Sequence, residues 1–308
     1  MRILVTGGAG FVGSHVVDAY VAAGHEVHVL DDLSTGRRDN LNDAATLHEM
    51  DIRAAELTDL VAALEPEVIN HHAAQASVKV STKDPEYDLA VNGGGTANLA
   101  LAAAAHGVRK IIYSSSGGTA YGQPAVLPVP EGATLQPESP YGVSKLAGEE
   151  YLRMVARTAG LESTTLRYGN AFGPRQDPHG EAGVVAIFAE RMLRAEPCTI
   201  DGDGEQQKDY VYVGDLARAN VLALAAGSGG VFNLGTGRGT SVNALHRALQ
   251  DATGDATTAV HGPPRPGDIR KIYVDATAAR QAFGWEPEIS LDEGLRLTIE
   301  SLRQALPA

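Results

Sequence analysis

A glycine-rich turn near the start of the chain constrains its fold more than any other feature. The apolar run Ile3 to Thr6 predicts a short buried strand, and the periodic apolar segment 12–23 predicts a helix. Between and within them stand Gly7, Gly8, Gly10 and Gly13. This spacing fits both Gly-x-x-Gly-x-x-Gly and Gly-x-Gly-x-x-Gly, in which glycines let the backbone approach a pyrophosphate at a helix N-terminus. The pattern therefore predicts a dinucleotide-binding strand, turn and helix.

A carboxylate after the second strand supports this interpretation. Residues 26–30 predict the strand, and Asp31 stands at its end, where it can accept the hydroxyl groups of an adenosine ribose. A 2′-phosphate would meet a like charge at Asp31, so NAD is favoured over NADP. Arg37 and Arg38 lie further along the chain and leave NADP open as the alternative.

The same alternation of strand and helix continues and predicts an α/β fold with a Rossmann-type doubly wound parallel sheet. Strands are predicted at 46–50, 67–70 and 110–114, with helices at 56–64 and within 85–106. Ligands bind at the carboxyl ends of such strands, where Asp51 and His72 stand. His71 and His72 face opposite ways on a strand and have no third ligand at a suitable spacing, so no metal site is predicted.

A Tyr–Lys pair gives the chain its candidate chemistry. Ser139 is a suitable N-cap and Pro140 suits the first helical turn, so Tyr141 and Lys145 fall four apart on one face of a helix. An ammonium near a phenol favours the phenolate and is expected to lower the phenol's pKa toward working pH. Such a pair is a candidate general base for a hydroxyl. A solvated surface pair is the other interpretation of this spacing.

Composition excludes several classes of protein. The net charge of −13, from 25 basic and 38 acidic residues, argues against binding nucleic acid. No segment reaches 18 uninterrupted apolar residues, so no membrane span is predicted. The lone cysteine, Cys198, excludes an internal disulfide, and we expect a cytoplasmic protein.

Several motifs together carry a family resemblance that runs essentially end to end. TGGAGFVG, Asp31, HHAAQAS, Asn92, YSSSGG and the Tyr141-Gly-Val-Ser-Lys145 run resemble the extended short-chain dehydrogenase/reductase superfamily, and within it the NAD-dependent epimerase/dehydratase family. The resemblance implies tightly bound NAD and a UDP-sugar substrate. It implies interconversion of UDP-glucose and UDP-galactose through a transient 4-keto sugar, and therefore an isomerase.

The resemblance also implies a role for individual residues. The catalytic residues are expected to be Ser116, Tyr141 and Lys145, with Ser115 and Thr119 as rival hydroxyl donors, because Gly117-Gly118 shift the local frame by one residue. The expected cofactor-binding residues are Gly7, Gly10, Phe11, Val12, Gly13, Asp31, Asp32, Leu33, Ser34, Thr35, Gly36, Asp51, Ile52, His72, Ala73, Ala74, Gln75, Asn92, Ser114, Tyr141, Lys145 and Tyr168. The expected substrate-binding residues are Ser115, Ser116, Tyr141, Asn170, Lys208, Arg265 and Asp268.

Some positions depart from the family pattern or leave alternatives open. Lys208 stands where the family usually has an arginine, so a bidentate contact to the substrate pyrophosphate is lost. Dehydratases usually place Asp-Glu after the active-site hydroxyl, which Gly117-Gly118 do not provide. Another nucleotide-sugar epimerase, a decarboxylase, a 4,6-dehydratase and a non-catalytic dinucleotide sensor remain the alternatives. Ile272 is expected where the family adjusts room for the substituent on sugar carbon 2, which leaves N-acetylated sugars open.

The second half of the chain is expected to form a smaller substrate domain. A dinucleotide-binding domain is predicted over residues 1–168, and a nucleotide-sugar domain over 169–308, with about 214–236 returning to the first. The segment Gly180 to Arg194 is a possible phosphate cradle, and the acidic run Asp201 to Glu205 predicts a hairpin turn rather than a calcium loop. The resemblance implies a homodimer that pairs through the helix within 85–106 and the helix that begins at Tyr141.

Overall fold

The computed structural model describes residues 1–179, 183–265 and 268–305. In chain order its strands are β1 (Arg2–Thr6), β2 (Glu26–Asp31), β3 (Thr46–Glu49), β4 (Val68–His71), β5 (Lys110–Ser116), β6 (Glu162–Tyr168), β7 (Asn170–Phe172), β8 (Thr199–Asp201), β9 (Gln207–Lys208), β10 (Tyr210–Tyr212), β11 (Val231–Leu234), β12 (Thr240–Ser241), β13 (Val260–Gly262) and β14 (Lys271–Ile272). Its α-helices are α1 (Phe11–Ala22), α2 (Leu57–Leu64), α3 (Val78–Lys83), α4 (Pro85–Leu89), α5 (Thr96–Ala105), α6 (Gly117–Ala120), α7 (Pro140–Ala159), α8 (Val184–Leu193), α9 (Val213–Ala223), α10 (Val242–Thr253), α11 (Thr277–Phe283) and α12 (Leu291–Ala305).

A parallel sheet forms the centre of the molecule. In the described residues its seven strands follow the order β11-β6-β5-β4-β1-β2-β3, and every neighbouring pair is parallel. The doubly wound sheet predicted from the sequence is confirmed. The strand order reverses between β1 and β4, so their carboxyl ends border the crevice in which such folds bind ligands.

Strand β1 shows why this sheet is buried on both faces. Ile3 and Val5 belong to a core that includes Val16 of α1, whereas Leu4 belongs to the core on the opposite face with Leu99 of α5. Because successive strand residues point to opposite faces, both sides of β1 must be apolar. The continuous run Ile-Leu-Val supplies these side chains.

A third core lies in the second half of the chain. It joins Phe188 of α8, Leu245 of α10 and Leu295 of α12, and small sheets border it. These sheets pair β7 with β10, β8 with β13, and β9 with both β12 and β14. Their strands are only two or three residues long.

The two halves exchange elements. After β10 the chain returns to the central sheet, where β11 pairs in parallel with β6, and α9 packs against α1. The Tyr20 hydroxyl of α1 donates a hydrogen bond to the Asn220 carbonyl of α9 at 3.2 Å. The predicted returning segment, 214–236, contains most of α9 and all of β11. The predicted domain boundary at residues 168 and 169 stays a prediction.

Two local predictions differ from the structure. The acidic run Asp201 to Glu205 is a turn but not a hairpin, since β8 before it and β9 after it belong to different sheets. The predicted helix within 85–106 is interrupted between α4 and α5 by a π-helical segment, Ala90–Gly95. A Cβ on Gly95 would lie 2.4 Å from the Ile52 side chain, so glycine lets this segment approach the loop after β3.

In the part of the chain that the structure describes, no helix is both long enough and apolar enough to cross a membrane.

Candidate active site

A cavity of about 810 Å³ opens at the carboxyl ends of β1, β2, β4 and β5, between the two halves of the chain. Most of the residues predicted to bind a cofactor or a substrate lie in its wall. They are Gly7, Gly10, Phe11, Val12, Gly13, Asp31, Asp32, Ser34, Thr35, Gly36, Asp51, Ile52, His72, Ala73, Ala74, Gln75, Ser114, Ser115, Ser116, Tyr141, Lys145, Tyr168, Asn170, Lys208, Arg265 and Asp268. The predicted residues Leu33 and Asn92 do not line the cavity.

The glycine turn after β1 has the shape that a pyrophosphate requires. Gly7 has a φ of +68°, and a Cβ there would lie 2.5 Å from the Ala73 amide nitrogen. A Cβ on Gly13 would lie 2.1 Å from the Gly7 carbonyl oxygen. Helix α1 begins directly after Gly10, so its first N–H groups point toward the cavity without a side-chain cap. Only glycines leave this cradle open.

Asp31 stands at the end of β2 and is 6% exposed. Its carboxylate accepts hydrogen bonds from the backbone N–H groups of Ala9 and Leu33, each at 2.9 Å. Burial raises the pKa of Asp31, and these two hydrogen bonds oppose that rise. The first bond fixes the carboxylate against the glycine turn, where the ribose next to a pyrophosphate would lie. Arg38, one of the two arginines that left NADP open, is paired with Glu49.

Helix α7 places Tyr141 and Lys145 at the end of β5. The Ser139 hydroxyl accepts a hydrogen bond from the Gly142 N–H at 3.2 Å, as a helix cap does, and Pro140 is the first helical residue. Lys145 is 4% exposed, and its Nζ lies 4.4 Å from the centre of the Tyr113 ring. Lys145 is therefore buried and Tyr141 is half-buried in the cavity wall, which the surface-pair interpretation does not allow.

Burial shifts the pKa values of both groups toward their neutral forms. It raises the pKa of Tyr141 to about 12, the Asp88 carboxylate adds to this rise, and the Ser116 hydroxyl opposes it. It lowers the pKa of Lys145 to about 7, although the carboxylates of Glu149 and Asp88 act in the opposite direction. The expected lowering of the phenol pKa by lysine is therefore wrong for the chain by itself. Removal from water is the largest cause of both shifts.

The structure distinguishes the three candidate hydroxyl groups. The Ser116 hydroxyl lies close enough to the Tyr141 phenol to oppose the rise in its pKa. Ser115 donates its hydroxyl proton to Glu149 at 2.6 Å and is 4% exposed. The Thr119 hydroxyl is buried and has no hydrogen-bond partner among the described residues. Ser115 is thus hydrogen-bonded within the protein, and Ser116 is the hydroxyl that affects the pKa of Tyr141.

His72 lies beneath the cavity in a buried polar network. Its Nε2 is 3.1 Å from the Tyr168 hydroxyl, which also accepts a hydrogen bond from Asn220 at 2.8 Å. Burial lowers the pKa of His72 to about 3, and the nearby Lys145 lowers it further. The imidazole is therefore neutral near pH 7 and holds Tyr168 in place.

Asn92, on the π-helical segment, acts behind the cavity wall. Its Oδ1 accepts a hydrogen bond from the Gln75 N–H at 2.9 Å, and its Nδ2 donates to the Gln75 carbonyl at 3.0 Å. The same Nδ2 lies 3.0 Å from the Ser144 hydroxyl of α7. Asn92 thereby joins the loop after β4 to the helix that carries Tyr141 and Lys145.

Sequence reasoning missed a buried ion pair below this site. Glu149 and Arg167 are 2% exposed or less as whole residues, and two hydrogen bonds of 2.9 and 2.6 Å join them. Arg167 also donates to the Tyr121 hydroxyl at 2.9 Å. Glu149 lies one turn beyond Lys145 on the same helix face. That position could have indicated the ion pair from the sequence, because a carboxylate on a buried helix face needs a partner.

The substrate side of the cavity is formed by the second half of the chain. Lys208 donates to the Asp268 carboxylate at 2.9 Å and to the Ile269 carbonyl at 2.6 Å. Arg265 pairs with Asp201 at 2.9 Å. Residues 266 and 267 of the predicted Arg265–Asp268 motif lie outside the described residues, as does Gly180 of the predicted phosphate cradle, so that cradle stays a prediction.

Ile272, expected near sugar carbon 2, is 1% exposed and packs in a core cluster with Val129 and Val274. Ile269, three residues earlier, lies in the cavity wall.

Comparison with known proteins identifies close relatives. The model of the NAD dependent epimerase/dehydratase family matches residues 3–235. The chain is 48% identical to a UDP-glucose 4-epimerase of Mycolicibacterium smegmatis, over 98% of this chain and 99% of that one. It is 50% identical to a UDP-glucose 4-epimerase of Thermotoga maritima solved with UDP-glucose, with a TM-score of 0.98 and full coverage of both chains. A Thermus thermophilus UDP-glucose 4-epimerase solved with NAD is 44% identical, with a TM-score of 0.95 over 99% of this chain and 100% of that chain.

Proposed function

Because this chain belongs to the NAD-dependent epimerase/dehydratase family, we propose that it is an isomerase that interconverts UDP-glucose and UDP-galactose. One observation carries the proposal: the cavity wall brings Ser116, Tyr141 and Lys145 together beside the glycine turn, in a chain nearly half identical to relatives of that activity. The reaction inverts carbon 4 of the hexose without net oxidation.

NAD is the cofactor of this family, and the residues of the cavity fit it. The glycine turn and the N-terminus of α1 would hold its pyrophosphate, and Asp31 would accept hydrogen bonds from its adenosine ribose. The segment His72 to Gln75 would lie along its nicotinamide half. When bound, NAD supplies reversible two-electron oxidation of carbon 4 and, in its oxidised form, a positive charge.

The protein's own groups handle the proton. We assign Tyr141 as the general base that takes the proton of the sugar 4-hydroxyl at its phenol oxygen and later returns it. Ser116, whose hydroxyl lies near that phenol, would hold the same sugar oxygen. Lys145 and the positive charge of the oxidised cofactor both favour the phenolate, which the buried chain alone does not. Asn170, Lys208, Arg265 and Asp268 are proposed to hold the UDP group.

The proposed activity is tested with purified protein and no added cofactor. UDP-glucose, UDP-galactose, their N-acetyl forms and UDP-glucuronate are each incubated with the protein, and the products are separated. UDP-galactose formed from UDP-glucose supports the proposal. A 4-keto-6-deoxy sugar would instead indicate a dehydratase, and epimers of only the N-acetylated or uronic sugars would reassign the substrate.

We also propose a homodimer that pairs through α5 and α7. Large apolar side chains are exposed on these helices and on the neighbouring α4: Leu89 is 50%, Leu101 59%, Val143 52% and Tyr151 45% exposed. Helices α5 and α7 pack side by side, so these residues can contribute to one surface. Exposed apolar patches commonly mark protein interfaces.

A cytoplasmic location also stays a prediction. Its support is the lone Cys198, which is buried and cannot form an internal disulfide.

A further inference from the structure

A buried carboxylate lies behind the Tyr–Lys pair and has no role in the mechanism above. Asp88 of α4 is 0% exposed. Its Oδ1 accepts hydrogen bonds from Gln75 Nε2 at 2.6 Å and from Asn92 Nδ2 at 3.1 Å. Its Oδ2 has no hydrogen-bond partner among the described residues. An ionised carboxylate removed from water in this way needs a compensating charge.

A short hydrogen-bonded path joins this carboxylate to the helix of the active site. Asn92 Nδ2, bonded to Asp88, also lies 3.0 Å from the Ser144 hydroxyl. Ser144 in turn donates to the Tyr141 carbonyl at 3.0 Å. Two side chains therefore separate Asp88 from the backbone of Tyr141, so the carboxylate occupies a fixed place beside α7.

The cation that lacks a close partner in this region is Lys145. It is 4% exposed, and within residues 1–179, 183–265 and 268–305 no carboxylate oxygen lies within 4.0 Å of its Nζ. Glu149, one turn away, also raises the pKa of Lys145, but two hydrogen bonds from Arg167 already hold its carboxylate. The Asp88 carboxylate and the Lys145 amine are thus two buried groups that can carry opposite charges, and neither has a contact ion pair in the described structure.

We propose that Asp88 is a positioning residue whose buried carboxylate acts with Glu149 as a counter-charge that helps to keep a proton on the Lys145 amine. The inference rests on the proposed roles of Tyr141 and Lys145. The Asp88 charge raises the pKa of both groups, as expected for an anion near them. The other titratable groups that face Lys145 are Tyr141 and Glu149 on its own helix, Tyr113 on β5, His71 at the end of β4 and His72 directly after it.

The variant Asp88→Asn tests the charge apart from the hydrogen bonds. Because Oδ2 has no partner, the amide nitrogen can take its place while Oδ1 still accepts from Gln75 and Asn92. Lysine labelled with carbon-13 at Cε reports protonation directly by NMR. The chain has six lysines, and loss of one resonance in Lys145→Met assigns the signal of interest.

In the parent protein the Lys145 resonance should titrate near pH 7. In Asp88→Asn its midpoint should fall by about one pH unit, because the neighbouring negative charge is gone. Glu86→Gln, an exposed change on the same helix, is the matched control and should leave the midpoint in place. Asp88→Ser also removes the charge, and it gives the same readout if the asparagine variant does not fold.

An unchanged Lys145 midpoint in a folded Asp88 variant would overturn the inference, as would an equal shift in Glu86→Gln. The readout does not depend on turnover. If the parent protein fails to convert UDP-sugars but the midpoint moves as stated, the proposed function is wrong and the pairing of charges stands.

Discussion

Tyr141 and Lys145 lie one helical turn apart on the face of α7 that lines the cavity. Their pKa values, about 12 and about 7, leave both groups uncharged at pH values between these limits. The phenol therefore needs additional positive charge beside it to act as a base near pH 7. We expect the oxidised cofactor to provide this charge, so that the base forms only in the loaded protein.

Replacing Tyr141 with phenylalanine tests the base directly. Turnover of UDP-glucose should fall roughly 10²–10⁴-fold, because a positioned general base is lost while the ring still fills its space. Bound NAD, measured after denaturation, should match the parent protein. Tyr151→Phe, an exposed change on the same helix, is the control. Near-normal turnover in Tyr141→Phe would contradict the assignment.

His72 makes a second prediction, for stability in acid. Its pKa of about 3 in the folded protein lies below the ordinary value of 6.5, so only the unfolded state takes up this proton as the pH falls. The contribution of the neutral His72 to stability is therefore fully present above about pH 6.5 and is lost progressively as the pH falls toward 3. At pH 5 the loss from this residue should be about 2 kcal/mol.

Denaturant unfolding at pH 7 and pH 5 measures this effect. The free energy of unfolding of His72→Gln should decline less between the two pH values than that of the parent protein. His106→Gln, which replaces an exposed histidine, should decline as the parent does. Equal declines in all three proteins would show that His72 does not carry the acid sensitivity.

Single residues also show what the sequence can and cannot predict about the site. Tyr141, Lys145 and Ser116 could be named because a helix period and a strand end fix their relative positions. The direction of the Tyr141 pKa could not be predicted, because it depends on burial by elements distant in sequence. Asp88 was missed for the same reason, since an acidic residue on a helix is usually exposed.

At the scale of elements, α7 is fixed on both sides of the turn that carries Tyr141 and Lys145. Ser139 caps its start, and one turn beyond Lys145 the Glu149–Arg167 ion pair joins it to β6. The cap could be predicted from the local sequence, but the ion pair could not, because it joins residues on two elements that meet only in the folded sheet. The pair holds α7 against β6. This strand is the neighbour of β5, and Ser116 lies at the end of β5.

Glu149→Gln tests this attachment. The variant leaves the Arg167 charge buried without its anion, so the free energy of unfolding should fall by about 3–5 kcal/mol. Glu150→Gln, one residue along and 62% exposed at its side chain, should change it by less than about 1 kcal/mol. Denaturant unfolding of both variants provides the comparison. A small effect in Glu149→Gln would mean that α7 is held in another way.

The loop after β7 is tied to α1 beside the glycine turn. The Pro174 carbonyl oxygen lies 2.9 Å from His15 Nε2, and the Arg175 guanidinium lies 2.7 Å from the Asp18 carboxylate. The backbone of Arg175 also has a φ of +66°, a conformation that residues other than glycine rarely adopt. Because Arg175 lines the cavity, we expect this loop to slow the release of NAD.

Asp18→Asn removes the anion of this attachment. NAD release, followed by exchange against a fluorescent analogue, should become faster by up to about fivefold, since a half-exposed ion pair contributes at most about 1 kcal/mol. Asp39→Asn breaks the more exposed pair with Arg37 and should leave the rate unchanged. Identical release rates in both variants would exclude the loop as a barrier.

At the scale of the whole molecule, the central sheet could be predicted because its apolar runs alternate regularly with helical segments. The small sheets of the second half could not, since strands of two or three residues are too short to show a period. The π-helical segment was also missed, because three adjacent glycines carry no sign of helix type.

The proposed dimer is tested at this scale. Leu101→Glu places a charge in the centre of the exposed apolar surface of α5, and it should convert a dimer to a monomer in sedimentation or light-scattering measurements. Val260→Glu, at a residue 56% exposed on β13, controls for the added charge and should not change the mass. A parent protein that is monomeric at micromolar concentration would refute the dimer.

The return of the chain to the central sheet at β11 has a consequence for modular engineering. A cut after β6 would separate that strand from its outer neighbour and would uncover α1 where α9 rests on it. Neither half could then be transferred to another protein through a single junction, as consecutive independent domains can be. Grafting a different sugar-recognition half would require at least two crossover points, placed on either side of the segment that contains α9 and β11.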